Sequence, residues 1–173
     1  MAEVAISPLG ESARWSLRLP ADSATIISDL AGFRIAMDIN RGFQAGDRLS
    51  ARLGPGEWLL CAPPEAAAEI ERRAADALAG EDHSLVDVGH RYAAFSVEGP
   101  QSHAVLAAGC PLDLDPSAFV AGAATRTLLG KAEIILWRLR EVPAYRVECA
   151  RSFAPYVRDY LQEAAREWRV MRR

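Results

Sequence analysis

Cysteine and histidine are scarce in this 173-residue sequence, three of each, and none stands at a spacing that chelates a metal. Cys61, Cys110 and Cys149 are odd in number and far apart, so they fit neither a disulfide framework nor a paired-thiolate metal knot. His83 and His103 have no carboxylate or thiolate at ligand spacing and read as surface or core histidines. No apolar run approaches the ~20 residues that a membrane span requires. The opening Met-Ala-Glu-Val-Ala-Ile-Ser-Pro lacks a basic segment followed by a long apolar core, which predicts no secretory signal and a cytoplasmic location. A basic stripe with interleaved aromatics is missing and the net charge is −3, against a nucleic-acid partner. The basic tail of Arg166, Arg169, Arg172 and Arg173 reads as a solvated helix end. Gly54-Pro55-Gly56 lacks the Lys-Ser/Thr of a phosphate loop and leads into a strand, and Gly130-Lys131 fails in the same way. Both are tight turns, and no strand leads into a glycine-rich dinucleotide fingerprint.

What is present is ordinary globular material: 50% hydrophobic and 25% charged residues. A chain of this length buries roughly 70% of its extended surface without a covalent staple. It suits one domain spanning residues 1–173, with two pseudo-halves at about 10–80 and 84–170. Residues 14–19 alternate, with Trp15, Leu17 and Leu19 on one face and Arg14, Ser16 and Arg18 on a wet one. Asp22 or Ser23 is suited to cap a helix carrying Ile26, Ile27 and Leu30, ended by Gly32. Residues 33–47 read as a loop with at most one short strand. Residues 48–53 and 58–61 are strands joined by Gly54-Pro55-Gly56-Glu57, and an alanine-rich helix over 65–78 stops at Gly80.

The order then repeats. Residues 92–97 form a strand and 101–108 a helix, with Gly99-Pro100 as its cap and first position and Gly109 as its left-handed exit. Strands follow at 124–129, 132–137 and 144–149. Ser152 is expected to cap a last helix whose buried stripe is Phe153, Tyr156, Val157, Tyr160, Leu161 and Ala164. Strand-helix-strands-helix, twice, predicts an α+β fold with helices on mainly antiparallel sheets.

Few side chains invite chemistry. His90-Arg91 heads a strand beside Asp87, and an Asp–His pair can orient a general base. Gly89 fills the slot a nucleophile would need, so the pair reads as bonding backbone carbonyls or a partner chain. Asp113 and Asp115 lie two apart in a proline-bounded loop, where aspartate is a turn device. Trp58, Trp137 and Trp168 read as core anchors. Trp137-Arg138 has a sharper alternative as an interface pair, and Arg126 and Lys131 as partners for acidic groups. No catalytic, cofactor-binding or metal site is predicted, and the candidate subunit contacts are His90, Arg91, Arg126, Lys131, Trp137 and Arg138.

Several motifs in order carry a family resemblance: Leu53-Gly54-Pro55 with Glu57-Trp58-Leu59-Leu60, Val86-Asp87-Val88, His90-Arg91, Gly99-Pro100, Gly109-Cys110-Pro111-Leu112-Asp113-Leu114, Phe119, the run from Thr125 to Ala132, and Arg151-Ser152-Phe153-Ala154. In these the chain resembles the gamma subunit of heterotetrameric sarcosine oxidase. The resemblance implies the folate-binding fold of the aminomethyltransferase family, built from two swapped halves, without folate chemistry in this chain. It implies alpha and beta chains carrying FAD, FMN and NAD, tetrahydrofolate as one-carbon acceptor in alpha, and a zinc-binding delta chain. Gamma would pack most directly against alpha, as a non-catalytic scaffold. The alternative is a free-standing folate-binding or aminomethyltransferase-related protein. It fits less well, because such proteins are longer and the Lys-Gly-Cys motif of related iron–sulfur assembly proteins is missing at Ala108-Gly109-Cys110.

Overall fold

A computed structural model describes residues 4–20 and 28–169. The chain divides into two compact units, Glu11–His90 and Met1–Gly10 with Arg91–Arg173. The dividing points differ from the expected pseudo-halves, because one strand at each boundary was not read from the sequence. β1 (Ala5–Pro8) pairs antiparallel with β9 (Tyr92–Glu98) and so belongs to the second unit. β8 (Ser84–Asp87) pairs antiparallel with β2 (Ala13–Arg18) and closes the first.

The first unit is a five-stranded antiparallel sheet in the order β5-β6-β7-β2-β8, with β5 at Arg41–Ala45, β6 at Arg48–Gly54 and β7 at Glu57–Ala62. Trp15, Leu17, Trp58, Leu60 and Ala62 share its inner face by period-two alternation. Ile70, Ala74 and Leu78 cover that face from α1 (Ala67–Ala77) and its end, recurring at four-residue steps that line up one helical stripe. Burying each large apolar side chain contributes about 1.5–3 kcal/mol, so this stripe is what holds the helix down. Within residues 33–47 two strands form, β4 (Phe33–Arg34) and β5. The expected helix from Asp22 or Ser23 falls, over 21–27, outside the described residues. Its expected end is different: β3 (Asp29–Leu30) pairs with β4, and Ala31 and Gly32 turn the chain at φ 50° and 85°. Arg14, expected on a wet face, is buried and donates from Nη1 to the Ser12 carbonyl at 2.9 Å.

The second unit repeats the topology: β10 (Ala124–Leu129), β11 (Ala132–Arg140), β12 (Ala144–Ala150), β9 and β1 are neighbours in that order. Phe95, Val97, Leu136, Tyr145 and Val147 form the sheet's contribution to its core. α2 (Ser102–Ala107) adds Val105 and Leu106, and α3 (Ala154–Ala164) adds Val157 and Leu161; a short α4 (Arg166–Arg169) follows. Three local readings need correction. Gly99-Pro100 forms a turn ahead of α2, with Gly99 at φ 118° and Gln101 as the N-cap, so Pro100 is not the helix's first residue. Gly109 does not have a positive φ. Ser152 caps nothing, since a 3₁₀ turn, Arg151–Phe153, leads straight into α3 with no side-chain cap bond.

The two sheets share one more device, at the middle strand of each three-strand meander. β6 and β11 both slip register near their ends, between Arg52 and Gly54 and between Arg138 and Arg140. In each case the arginine's Nε points at the carbonyl two residues on, at 3.3 Å to Gly54 and 3.4 Å to Arg140. Both arginines are buried.

Candidate subunit-interaction surface

A buried guanidinium needs acceptors for its fork of donors, or it costs several kcal/mol. Arg138 finds them in backbone carbonyls: Nη1 donates to Pro116 at 2.8 Å and Phe119 at 2.6 Å, and Nη2 to Glu141 at 3.1 Å. It clamps the proline-bounded loop onto the sheet. Trp137 and Arg138, proposed from sequence as an interface pair, are each 2% exposed, and a side chain so covered offers no docking surface. Trp and Arg are enriched at interfaces and also wherever a large side chain is desolvated, and sequence does not separate the two settings.

Of the remaining sequence candidates, His90 and Arg91 are exposed in a 3₁₀ turn, Gly89–Arg91. No hydrogen bond joins Asp87 to His90 among the described residues, and Asp87 Oδ1 accepts the Gly89 N–H at 2.7 Å. Arg91 lies 5.8 Å from the centroid of the Tyr92 ring. Arg126 is exposed on β10, the edge strand of its sheet, and Lys131 is exposed in the β10–β11 turn.

Asp113 and Asp115 are turn devices, as expected. Asp113 accepts the Asp115 N–H at 3.0 Å, and Asp115 accepts the Ser117 N–H at 2.8 Å and its hydroxyl at 2.5 Å. These two bonds from Ser117 hold the Asp115 carboxyl below its ordinary value, with His103 and Arg138 helping. Burial raises the Tyr145 phenol above its usual value. Among the described residues no group of His, Cys, Asp and Glu is arranged to hold a metal ion. No described helix is long and apolar enough to cross a membrane.

The structure does bring together residues that sequence reasoning assigned to the core. Phe153 and Tyr156, placed in the buried stripe of α3, are 43% and 36% exposed. Their rings meet edge to face at 6.4 Å, and Tyr156 and Tyr160 meet at 5.9 Å. Tyr160 donates to the Ala108 carbonyl at 3.0 Å, and the Tyr156 oxygen accepts the Lys131 N–H at 3.0 Å. Beneath them run two glycines. Gly109 approaches so closely that a Cβ there would sit 2.6 Å from Tyr160 Cζ. Gly130, at φ 59°, would put one 2.9 Å from Tyr160 Cε2. Gly109 therefore matters for closeness rather than for its backbone angle. The signal available in sequence was two isolated glycines facing two helical tyrosines, which only the three-dimensional register connects.

Against known proteins, the family model described as "Sarcosine oxidase, gamma subunit family" matches residues 20–167. The chain belongs to the sarcosine oxidase gamma subunit family. Sarcosine oxidase subunit gamma of Corynebacterium sp. (strain P-1) is 33% identical over 116 residues, covering 67% of this chain and 56% of that one. That of an Arthrobacter species is 36% identical over 93 residues, covering 54% and 45%. The match thus spans about half the length of the curated relatives. A chain of the heterotetrameric sarcosine oxidase from Corynebacterium sp. U-96, solved with pyrrole 2-carboxylate, superposes with a TM-score of 0.82 at 26% identity, covering 95% of this chain and 84% of that one. Aminomethyltransferase T of the glycine cleavage system from Bartonella henselae superposes at 0.67 with 14% identity, over 92% of this chain and 45% of that one. The second likeness shows the fold alone, and it agrees with the α+β architecture expected of the gamma subunit family.

Proposed function

We propose that this chain is the non-catalytic gamma subunit of a heterotetrameric sarcosine oxidase, serving assembly of the flavin-bearing chains. The observation that carries the reading is the family match over residues 20–167, together with the likeness to a chain of a heterotetrameric oxidase. Three polar side chains singled out in the sequence support it, since they are engaged in holding backbone: Asp87 on Gly89, Asp115 on Ser117, Arg138 on four carbonyls. On this reading FAD, FMN, NAD and tetrahydrofolate act in the partner subunits, zinc in delta, and gamma meets alpha most directly, in the cytoplasm.

The test is co-expression with the alpha, beta and delta chains, followed by size-exclusion chromatography. Gamma is expected to travel with the flavin-bearing chains. Purified alone it should be colourless, inactive towards sarcosine, and unresponsive in a titration with reduced folate. Sarcosine turnover or bound flavin in the lone chain overturns the reading, and saturable, tight folate binding favours a folate-binding protein instead.

A further inference from the structure

The platform of Phe153, Tyr156 and Tyr160 combines three properties. It is aromatic and open, with Phe153 and Tyr156 more than a third exposed, whereas Val157 and Leu161 of the same helix are fully buried. It is rigid, because both tyrosine hydroxyls are hydrogen-bonded to backbone and the rings rest on Gly109 and Gly130. Rings already fixed lose little freedom on binding, which is what makes such a surface efficient at docking. It is also rimmed by positive charge. Lys131, adjoining Tyr156, and Arg151, two residues before Phe153, are exposed and form no ion pair among the described residues. Nearby Asp159 is neutralised by Arg158 at 2.9 Å.

We propose that the Phe153–Tyr156–Tyr160 platform, with Lys131 and Arg151 at its rim, is the docking surface for an acidic segment of a partner subunit. The segment carries a carboxylate beside an aliphatic or proline side chain. The apolar group covers the Phe153 and Tyr156 rings and the carboxylate meets the two cations, in a chain whose own net charge is −3. Gly109, Gly130-Lys131 and Phe153 come from three separate motifs of the sequence, and this surface is where they meet. The proposal rests on the subunit reading above.

The experiment co-expresses the full chain with alpha, beta and delta and compares wild type with Lys131→Glu/Arg151→Glu, with Phe153→Ala, and with Arg72→Glu on α1 as a distant charge control. Reversing both rim charges is expected to weaken binding about thirtyfold and to flatten its salt dependence. Phe153→Ala is expected to weaken it about tenfold, and Arg72→Glu to leave it unchanged. Carbodiimide coupling of the wild-type complex should join Lys131 to a carboxylate of a partner chain. If Phe153→Ala fails to fold, the charge-reversed variant decides, since both its side chains are exposed. Variants that assemble with wild-type affinity overturn the docking surface and leave the subunit reading standing. A wild type that joins no partner overturns both. Self-association that is lost in Phe153→Ala makes the occupant a second copy and overturns the proposal.

Discussion

The two units place an arginine at the same point of the same meander, and the pair shows what such a residue is for. Arg52 donates to the carbonyls of Met37 and Pro55 and lies over the Trp58 ring, 4.8 Å from its centroid. Arg138 donates to Pro116, Phe119 and Glu141 and stands opposite Tyr145 in the ladder, as Arg52 stands opposite Trp58. In both units a buried guanidinium holds a loop to the sheet end. The units differ in what surrounds it. Trp58 Nε1 donates to the Ala36 carbonyl at 2.8 Å, and Trp15 Nε1 to Glu71 at 3.1 Å. In the second unit Trp137 Nε1, Tyr145 Oη and His103 Nδ1 are buried without a hydrogen-bond partner among the described residues. The hairpin turns differ too: Gly46 of the β5–β6 turn has nothing within 4 Å of its missing Cβ, whereas Gly130 of the β10–β11 turn lies under two tyrosines. One architecture, used twice, bonds the indole nitrogens of Trp15 and Trp58 in the first unit and leaves three buried polar atoms unpartnered among the described residues of the second.

The clamp comparison breaks most visibly at the arginines. Arg138→Met leaves four carbonyls without their donor and is expected to destabilise by about 3 kcal/mol or more in urea denaturation. Arg138→Lys should not restore it, because an ammonium cannot reproduce the planar fork. Arg52→Met is expected to cost at least as much, since it also loses the contact with Trp58. A well-tolerated change at either position would make the likeness geometric rather than energetic. The turn comparison comes next. Gly46→Ala and Gly130→Ala both force a left-handed alanine, at φ 61° and 59°, which costs about 1–2 kcal/mol. Gly130→Ala also collides with Tyr160 and should cost about 1–3 kcal/mol more. Equal melting temperatures for the two variants would show that the tyrosines give way.

Much of this fold was legible in the sequence, and the failures have a pattern. Strands with period-two alternation, such as β2 and β12, and the helix at 67–77 appear where the apolar spacing puts them. β1 and β8 were missed because each is a four-residue edge strand with largely exposed side chains, so neither shows an apolar alternation. Their pairing is decided by a distant strand. The exposure of Phe153 and Tyr156 was illegible for the opposite reason. Helical spacing groups them with Val157 and Leu161, and only the width of the sheet beneath α3 decides how many of that stripe are covered. The docking candidates divide by the same logic: Arg138 sits at the buried end of a strand and Lys131 at a turn, and sequence gave both the same charge.

A smaller effect separates the buried aromatic groups. Tyr145→Phe removes a hydroxyl with no partner among the described residues and keeps the ring that stacks on Phe119 at 6.3 Å. It is expected to be neutral or to stabilise by about 0.5 kcal/mol. Tyr160→Phe removes a hydroxyl bonded to Ala108 and should cost about 1 kcal/mol. A loss at Tyr145 matching that at Tyr160 would mean that its hydroxyl is bonded in solution, and the contrast between the units would narrow accordingly.

The last expected difference is one of pH. The clamped loop of the second unit carries Asp115, whose carboxyl is held below 3.8 by the two bonds from Ser117. A folded value below the unfolded one means that the ionised carboxylate contributes stability, present above the ordinary aspartate value and lost as pH falls through the folded value. Asp115 is exposed, so the contribution is small. Comparing the wild type with Asp115→Asn by thermal unfolding, the gap between them should hold steady from pH 6 to about pH 5 and close as acid protonates the wild-type carboxyl. Salt should shrink the part owed to His103 and Arg138 while leaving the part owed to Ser117, because short hydrogen bonds are not screened as separated charges are. Melting curves that stay parallel down to pH 3 would mean that Asp115 holds this loop by shape alone, and the two clamps would then be alike in being indifferent to acid.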